Sequence, residues 1–267
     1  MIRLNDVPIK ELGMFVLQEG NTHPSPTFEN KTVKVPGRIG EYHFGSEVGS
    51  RPHTIALGVI DPDVIESQAR VRKFFELVLD EYGKPKPVKM VYEYEPDKYY
   101  TVYVDGSFIP ERMRGYINGP INLVAYDPIA YSIVRADEVT WGSEDITFES
   151  TAYTLGHTGA PSKMRITGPI TLNCEVIGNA VQPIIDIRGN ADNLNLSVGN
   201  QSFSIGSFTD TEWTIEGKSF TVIKNGQNAF DELEGDFLWF KKGVNELVVD
   251  GSNIDIDLTV TYHDEFS

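Results

Sequence analysis

Residues Tyr116–Ser132 read YINGPINLVAYDPIAYS, a strand that runs into an Asp-Pro corner and stops. Ile121, Leu123 and Ala125 alternate with Asn122, Val124 and Tyr126, the two-residue period of a half-buried strand. Gly119-Pro120 reads as a turn ahead of it. Asp127-Pro128 closes the strand, because proline donates no ladder hydrogen bond and pushes the residue before it into extended backbone. One module is therefore expected to end at this corner and a second to begin, which divides the chain into residues 1–135 and 136–267.

Length and charge agree with that division. The chain has 267 residues, enough for two domains of ordinary size. Residues 1–135 carry 16 Lys and Arg against 18 Asp and Glu, a net of −2; taken from the totals of 23 and 39, this leaves 7 against 21, a net of −14, for residues 136–267. A grip on nucleic acid needs basic side chains that displace counterions from phosphates, so neither half reads as a specific DNA or RNA binder. Acidic residues on the outward side of strands keep a β-rich protein soluble. A cation site or a docking face for a basic partner is the sharper reading of the same charge. The single thiol, Cys174, has no cysteine to pair with. No signal-peptide layout is present, and no apolar run approaches the roughly 20 residues of a membrane helix. The chain is expected to fold in a reducing cytoplasm without membrane insertion. Asn30, Asn195 and Asn200, each in an N-x-Ser/Thr match, then read as turn residues.

The first half holds one helix, predicted over about Pro62–Tyr82. Asp61 is positioned to cap it, Pro62 suits the first helical position, and Gly83 offers a left-handed exit. Val64, Val71, Phe74, Phe75, Val78 and Leu79 lay one apolar stripe along a face. Around it Met14–Gln18, His53–Ile60, Val88–Glu95 and Tyr99–Phe108 alternate as strands, with a tight hairpin expected at Asp105-Gly106. After residue 136 no comparable helix signal occurs. Short alternations recur there with turn signals about every 8–12 residues, the pattern of a sandwich. The strands expected are Lys163–Thr167, Leu172–Val176, Ile184–Ile187, Leu194–Val198, Phe203–Ile205, Glu212–Glu216, Ser219–Lys224, Phe237–Phe240, Asn245–Val249 and Ile254–Tyr262. The fold class is thus mainly β, a β-sheet or sandwich domain with one α-helix followed by an all-β sandwich.

Several sequence elements in order are similar to those of the siphophage distal tail protein family. They are P-G-R-x-G at Pro36–Gly40 within VPGRIGEYHF, D-P-x-A-Y-S at Asp127–Ser132, G-x-x-x-A-P-S-K-M-R-I-T-G from Gly156, E-W-T-I-E from Glu212, and D-F-L-W-F-K-K-G-V-N-E-L-V-V-D-G from Asp236. The resemblance spans nearly the whole chain, and K-G-x-N before an expected last hairpin is its best-matched piece. It implies a first domain that assembles with copies of itself, usually as a hexameric ring, onto the tail tube. It implies an outward-facing second domain of galectin-like or carbohydrate-module-like type. Such rings join the tube to the baseplate, tail fibre or receptor-binding proteins of the virion and leave a central passage for DNA. The acid-rich balance sits in the domain expected outside, so bulk charge gives no support to an acidic channel.

Catalytic motifs fail on spacing. Gly217-Lys218-Ser219 ends like a phosphate loop, yet Glu212 stands where the first glycine belongs, and the segment reads as a hairpin. The histidines at 23, 43, 53, 157 and 263 form no i, i+4 pair, and one cysteine makes no zinc knuckle. No G-x-S-x-G elbow occurs. Cys174 lies in an apolar strand pattern that suits a small buried residue. Asp250-Gly251-Ser252-Asn253 with Asp255 and Asp257 has an oxygen-rich look but the wrong order for an EF-hand, and a tight turn accounts for it. Aromatic faces on a sandwich can stack on sugars, which makes Trp213 and Trp239 the candidate glycan contacts; Trp141, Trp213 and Trp239 are also explained as core. Three function classes remain: a structural tail hub, a glycan-binding module or adhesin, and a glycoside-active enzyme. The last needs two convergent carboxylates that the sequence does not single out. The hub is the expectation, with no enzyme activity and no cofactor.

Overall fold

In the computed structural model, residues 2–17, 24–139, 153 and 157–267 are described. The chain divides into two compact units, residues 1–130 with Ser267, and residues 131–266.

The first unit contains β1 (Ile2–Leu4), β2 (Val7–Pro8), β3 (Phe15–Val16), β4 (Phe28–Val33), β5 (Tyr42–Val48), β6 (Arg51–Ile60), α1 (Val64–Val78), β7 (Val88–Tyr92), β8 (Glu95–Asp105), β9 (Glu111–Met113) and β10 (Tyr116–Ala125). Its main sheet runs in the order β2-β1-β7-β8-β10-β6-β3, with β9 beside β10, while β4 and β5 form a separate two-stranded sheet. The strand that opened the sequence reading is central. Along its whole length β10 pairs antiparallel with β6, from Tyr116 opposite Ile60 to Ala125 opposite Arg51. Ile121, Leu123 and Ala125 are buried as their alternation requires.

Gly119-Pro120, however, lies inside β10 and is no turn. On the side away from β6, β9 pairs with residues 116–118 and β8 with residues 122–124, so residues 119–121 fall in the gap between them. A half-paired position of that kind tolerates a strand proline. A Cβ on Gly119 would stand 2.9 Å from Pro110 Cα, so the chain crossing this gap needs the glycine. The expected hairpin at Asp105-Gly106 is also absent. The tight two-residue connections among the described residues of this unit are Asn5-Asp6, where Leu4 faces Val7, Glu93-Tyr94, where Tyr92 faces Glu95, and Arg114-Gly115, where Met113 faces Tyr116.

Helix α1 is shorter than predicted at both ends. Asp63 rather than Asp61 is its cap, its side chain accepting from the Ile65 N–H at 2.8 Å. Asp61 instead accepts from the Asp63 N–H and binds the Arg70 guanidinium at 2.7 Å, while Arg70 also donates to the Gly13 carbonyl. At the far end Leu79 is already extended, and Gly83 closes a separate turn from Asp80. Ser67, Phe74 and Val78 form the buried stripe. Val64 and Ile65 are exposed.

The second unit is all β: β11 (Ala130–Ser132, at the boundary), β12 (Met164–Ile166), β13 (Ile170–Val176), β14 (Ile184–Val198), β15 (Gln201–Ile205), β16 (Phe208–Glu216), β17 (Thr221–Lys224), β18 (Gln227–Asn228), β19 (Leu233–Gly235), β20 (Gly243–Thr261) and β21 (Glu265–Phe266). Two strands organise it. The first half of β14 pairs with β16 and the last part of β20, and its second half pairs with β15 and the first part of β20. Register shifts between Gly189 and Asn195 mark the bend. Gly189 sits there at φ +139°, and a Cβ would come within 2.2 Å of the Asp255 carbonyl oxygen, so only glycine lets β14 turn this close to β20. The folded sheet encloses one core, in which Ile185, Ile187, Trp213 and Leu258 share the interior with Leu196, Phe203, Leu247 and Val249.

The observed pairing corrects several expectations. Ile184–Ile187 and Leu194–Val198 are one strand, as are Asn245–Val249 and Ile254–Tyr262, because a bulge interrupts alternation without ending pairing. The stretch from Asp250 to Asn253 is therefore a bend within β20 and no turn between strands. Phe237–Phe240 is not a strand; only Phe240 makes a bridge, to Val181. The K-G-x-N element does not precede a hairpin but opens β20. Asn245 holds it there by donating to the Lys241 and Gly243 carbonyls at 2.7 and 3.0 Å and accepting from the Lys241 N–H.

Candidate functional site

On the first unit the β4–β5 hairpin gathers exposed apolar side chains. Its base is pinned where the Thr27 N–H donates to Ser50 and the Gly49 N–H donates to Thr27. Cross-strand pairing sets Phe28 opposite Val48 and Val33 opposite Tyr42, with a bulge between Asn30 and Thr32. Pro36–Gly40, the P-G-R-x-G element, forms its tip. The loop was legible in the sequence, but the strands flanking it were not, although FENKTV and YHFGSEV carry enough β-branched and aromatic residues to signal them. Nothing among the described residues covers this sheet. Ile39 is fully exposed, Phe44 is 69% exposed, and Phe28, Val33, Tyr42 and Val48 are exposed too. Tyr42 and Phe44 lean together with ring centroids 6.5 Å apart, and the Arg38 guanidinium lies 3.8 Å over the Tyr42 ring. Polar contacts stiffen the arm: Lys31 with Glu47, and Ser46 donating to Asn30 at 2.6 Å. A lone two-stranded ribbon is at best marginally stable in water. Covering its apolar side chains is what would fix it.

Beneath the main sheet a polar cluster is buried. Arg51 donates to the Tyr100 hydroxyl at 2.7 Å, and His53 Nδ1 lies 2.8 Å from the Tyr92 hydroxyl. Burial pushes the Tyr100 hydroxyl up to about 12 against the pull of the Arg51 charge, and raises Tyr92 further. Both hydroxyls stay protonated at neutral pH, where they serve as hydrogen-bond groups that tie β6 to β7 and β8.

The two candidate glycan contacts separate. Trp213 is 1% exposed, in edge-to-face contact with Phe208 and covered by Lys224, so no face of the ring is open to a sugar. Its alternation with Thr211 and Ile215 along β16 turns all three inward. Trp213 is therefore corrected from glycan contact to core. Trp239 is 44% exposed, and its backbone N–H donates to the Gln201 side-chain oxygen at 2.9 Å. A buried and a surface tryptophan make no common platform. Trp141 and Gly156 lie outside the described residues. Cys174 is buried, and burial alone raises its thiol to about 12, which leaves it protonated and inert.

A third arrangement went unnoticed in the sequence. Asp264, fully buried near the chain end, accepts from the Tyr153 hydroxyl at 2.6 Å and from the Ile177 N–H at 2.8 Å. The Asp264 N–H bonds Ser132, whose own N–H donates to the Asp264 carbonyl. Arg135–Glu138, the segment at the expected division, belongs to the same body. Ala136 is buried in the sandwich core and donates to the Tyr262 carbonyl. The cause is local: the segment coils into a 3-10 turn that lays Ala136 inward.

Residues 2–125 match a family model described as the phage tail protein RIFT-related domain. The whole chain is similar to the crystal structure of the Dit protein of phage SPP1, described as a paradigm of the hub adsorption apparatus in phages infecting Gram-positive hosts. The TM-score is 0.69 at 12% identity, over 100% of this chain and 98% of that one. Chains of the phage P2 baseplate in its activated, calcium-bound conformation also align, over 96% of this chain and 92% of theirs at 11% identity, but a TM-score of 0.39 carries no argument. No curated protein sequence matches the chain. Residues 2–125 thus match the phage tail protein RIFT-related domain, and the chain as a whole has the mainly β fold of the SPP1 Dit protein.

Proposed function

We propose that this chain is the distal hub of a long non-contractile phage tail, joining the tail tube to the baseplate or tail fibre and leaving a central passage for DNA. The β4–β5 hairpin carries the reading: the unit that matches a phage tail domain bears an arm of exposed apolar side chains, and such a patch marks an interaction surface. In this reading residues 1–135 form a ring of copies, six-fold in the family that the sequence resembles. Their net of −2 adds little repulsion between copies. Residues 136–267 face outward toward receptor-binding or fibre proteins. DNA passes without specific binding. The protein folds in the host cytoplasm, resides at the virion's tail tip and does no covalent chemistry. A second reading, a glycan-binding module acting in host-surface recognition, is favoured by the exposure of Trp239. Adding the purified chain to isolated tail tubes of the same phage separates the two. A hub adds at one end of each tube, whereas a free glycan module leaves tubes bare and binds host wall polysaccharide through Trp239.

A further inference from the structure

On the second unit three phenylalanines from different segments meet at the surface. Phe220 lies in the turn between β16 and β17, Phe230 follows β18, and Phe237 follows β19. The Phe237 ring is 5.3 Å from Phe220 at 85° and 6.1 Å from Phe230 at 32°. Phe237 is half-buried against the core, while Phe220 and Phe230 are 63% and 52% exposed. Phe220 has φ +52°, left-handed backbone that costs a residue with a Cβ about 1–2 kcal/mol. A glycine would close this turn without that cost, and a ring so exposed contributes little to the fold in return. Strain of this kind marks a residue held for something other than stability.

The surroundings state what the patch would accept. Asp231 directly follows Phe230, and Asp236 directly precedes Phe237, with Glu234 between them; all three are exposed. No lysine or arginine lies in ion-pair distance of these three among the described residues, and Lys218 and Lys224 are already engaged by Glu265 at 3.3 Å and Glu232 at 2.5 Å. The patch is thus apolar at its centre and acidic at its rim. Two perpendicular rings present an edge beside a face, a cleft for a side chain, where a sugar would need a flat open face.

We propose that Phe220, Phe230 and Phe237 are the centre of a protein-docking face whose occupant is a surface with an exposed apolar side chain ringed by lysine or arginine. Resting on the hub reading, the occupant is carried by a receptor-binding or tail-fibre subunit. Charge complementarity selects it: apolar anchors supply the affinity, and the acidic rim steers a basic partner.

The test uses the full chain, with the receptor-binding and fibre subunits of the same phage immobilised as probes. The double variant Phe220→Gly, Phe230→Ser should weaken binding at least about tenfold, the usual effect of truncating aromatic anchors. Its oligomeric mass should match the parent's and its melting temperature should be no lower, since Phe220→Gly relieves the left-handed backbone of the turn. Asp231→Asn with Asp236→Asn should slow association and flatten its salt dependence, since exposed charges are screened within about 8–10 Å near physiological ionic strength. Full affinity in the phenylalanine variant overturns the proposal, as does failure of every probe to bind the parent chain. So does host polysaccharide binding lost with the same two substitutions. Mass distinguishes the two ideas: a ring that binds no probe refutes this face and leaves the hub standing, whereas a chain that stays monomeric both alone and with its tail-tube protein refutes the hub itself.

Discussion

Replacing Tyr42 and Phe44 by serine separates an assembly arm from a structural hairpin. Both side chains are exposed in the single chain, so their loss should move folding stability by no more than about 0.5 kcal/mol, as for ordinary surface positions. The cation–π contact from Arg38 to Tyr42 adds about 0.5–1 kcal/mol at an exposed site, which bounds the local effect. Between copies the sum is different. Burying a large apolar side chain is worth about 1.5–3 kcal/mol, so two lost from each contact remove about 3–6 kcal/mol. With about 1.4 kcal/mol for each factor of ten, every contact weakens at least about a hundredfold. Sedimentation velocity and thermal unfolding on the same samples read both quantities. The expected pair is a smaller assembly and, at dilutions where the parent is dissociated too, an unchanged melting temperature. An unchanged assembly would exclude these residues from the contact, and a lowered melting temperature would make the hairpin part of the fold.

Other outcomes follow from buried groups. Asp264→Ala removes the acceptor shared by the Tyr153 hydroxyl and the Ile177 N–H, which should cost about 1–3 kcal/mol for each bond and lower the unfolding midpoint in urea; Asp264→Asn should cost less. Alkali should loosen the first unit. Tyr100 moves from 10.0 to about 12 on folding, so the folded state holds this proton more tightly; the stability it contributes is intact below about pH 10 and is lost as pH rises through 12. A urea midpoint at pH 11 equal to that at pH 8 would contradict this. Cys174 should resist a thiol reagent at pH 8 in the native protein and react fully in denaturant.

Sequence legibility followed how local the cause was. The alternation of Ile121, Leu123 and Ala125 is a nearest-neighbour property and came through, as did the helix face at Phe74 and Val78. Its cap did not, because Asp61 and Asp63 are equally good cap residues and Arg70, nine positions on, draws Asp61 away. Gly119-Pro120 has turn composition, and only the gap between β9 and β8 lets it lie in a strand. Gly189 and Gly251 read as breaks between strands, whereas each marks a bend within one long strand. Trp213 and Trp239 look alike in sequence; strand parity buries the first, and the irregular segment after β19 exposes the second. The phenylalanine cluster joins residues 220, 230 and 237 through loop geometry that no period announces. Boundaries follow the same rule: the charge step is a sum over many residues and points only near residue 135, whereas the contacts divide the chain after Ala130, and Ala136 packs in the second core. A truncation made to isolate the first unit should end at Ala130, where the division falls.

Native mass measurement of the full chain, purified without partners and then with its tail-tube protein, goes to the heart of the hub reading. One closed species of six copies, or a species that closes once the tube protein is present, is the predicted result. A chain that remains monomeric in both conditions would contradict it.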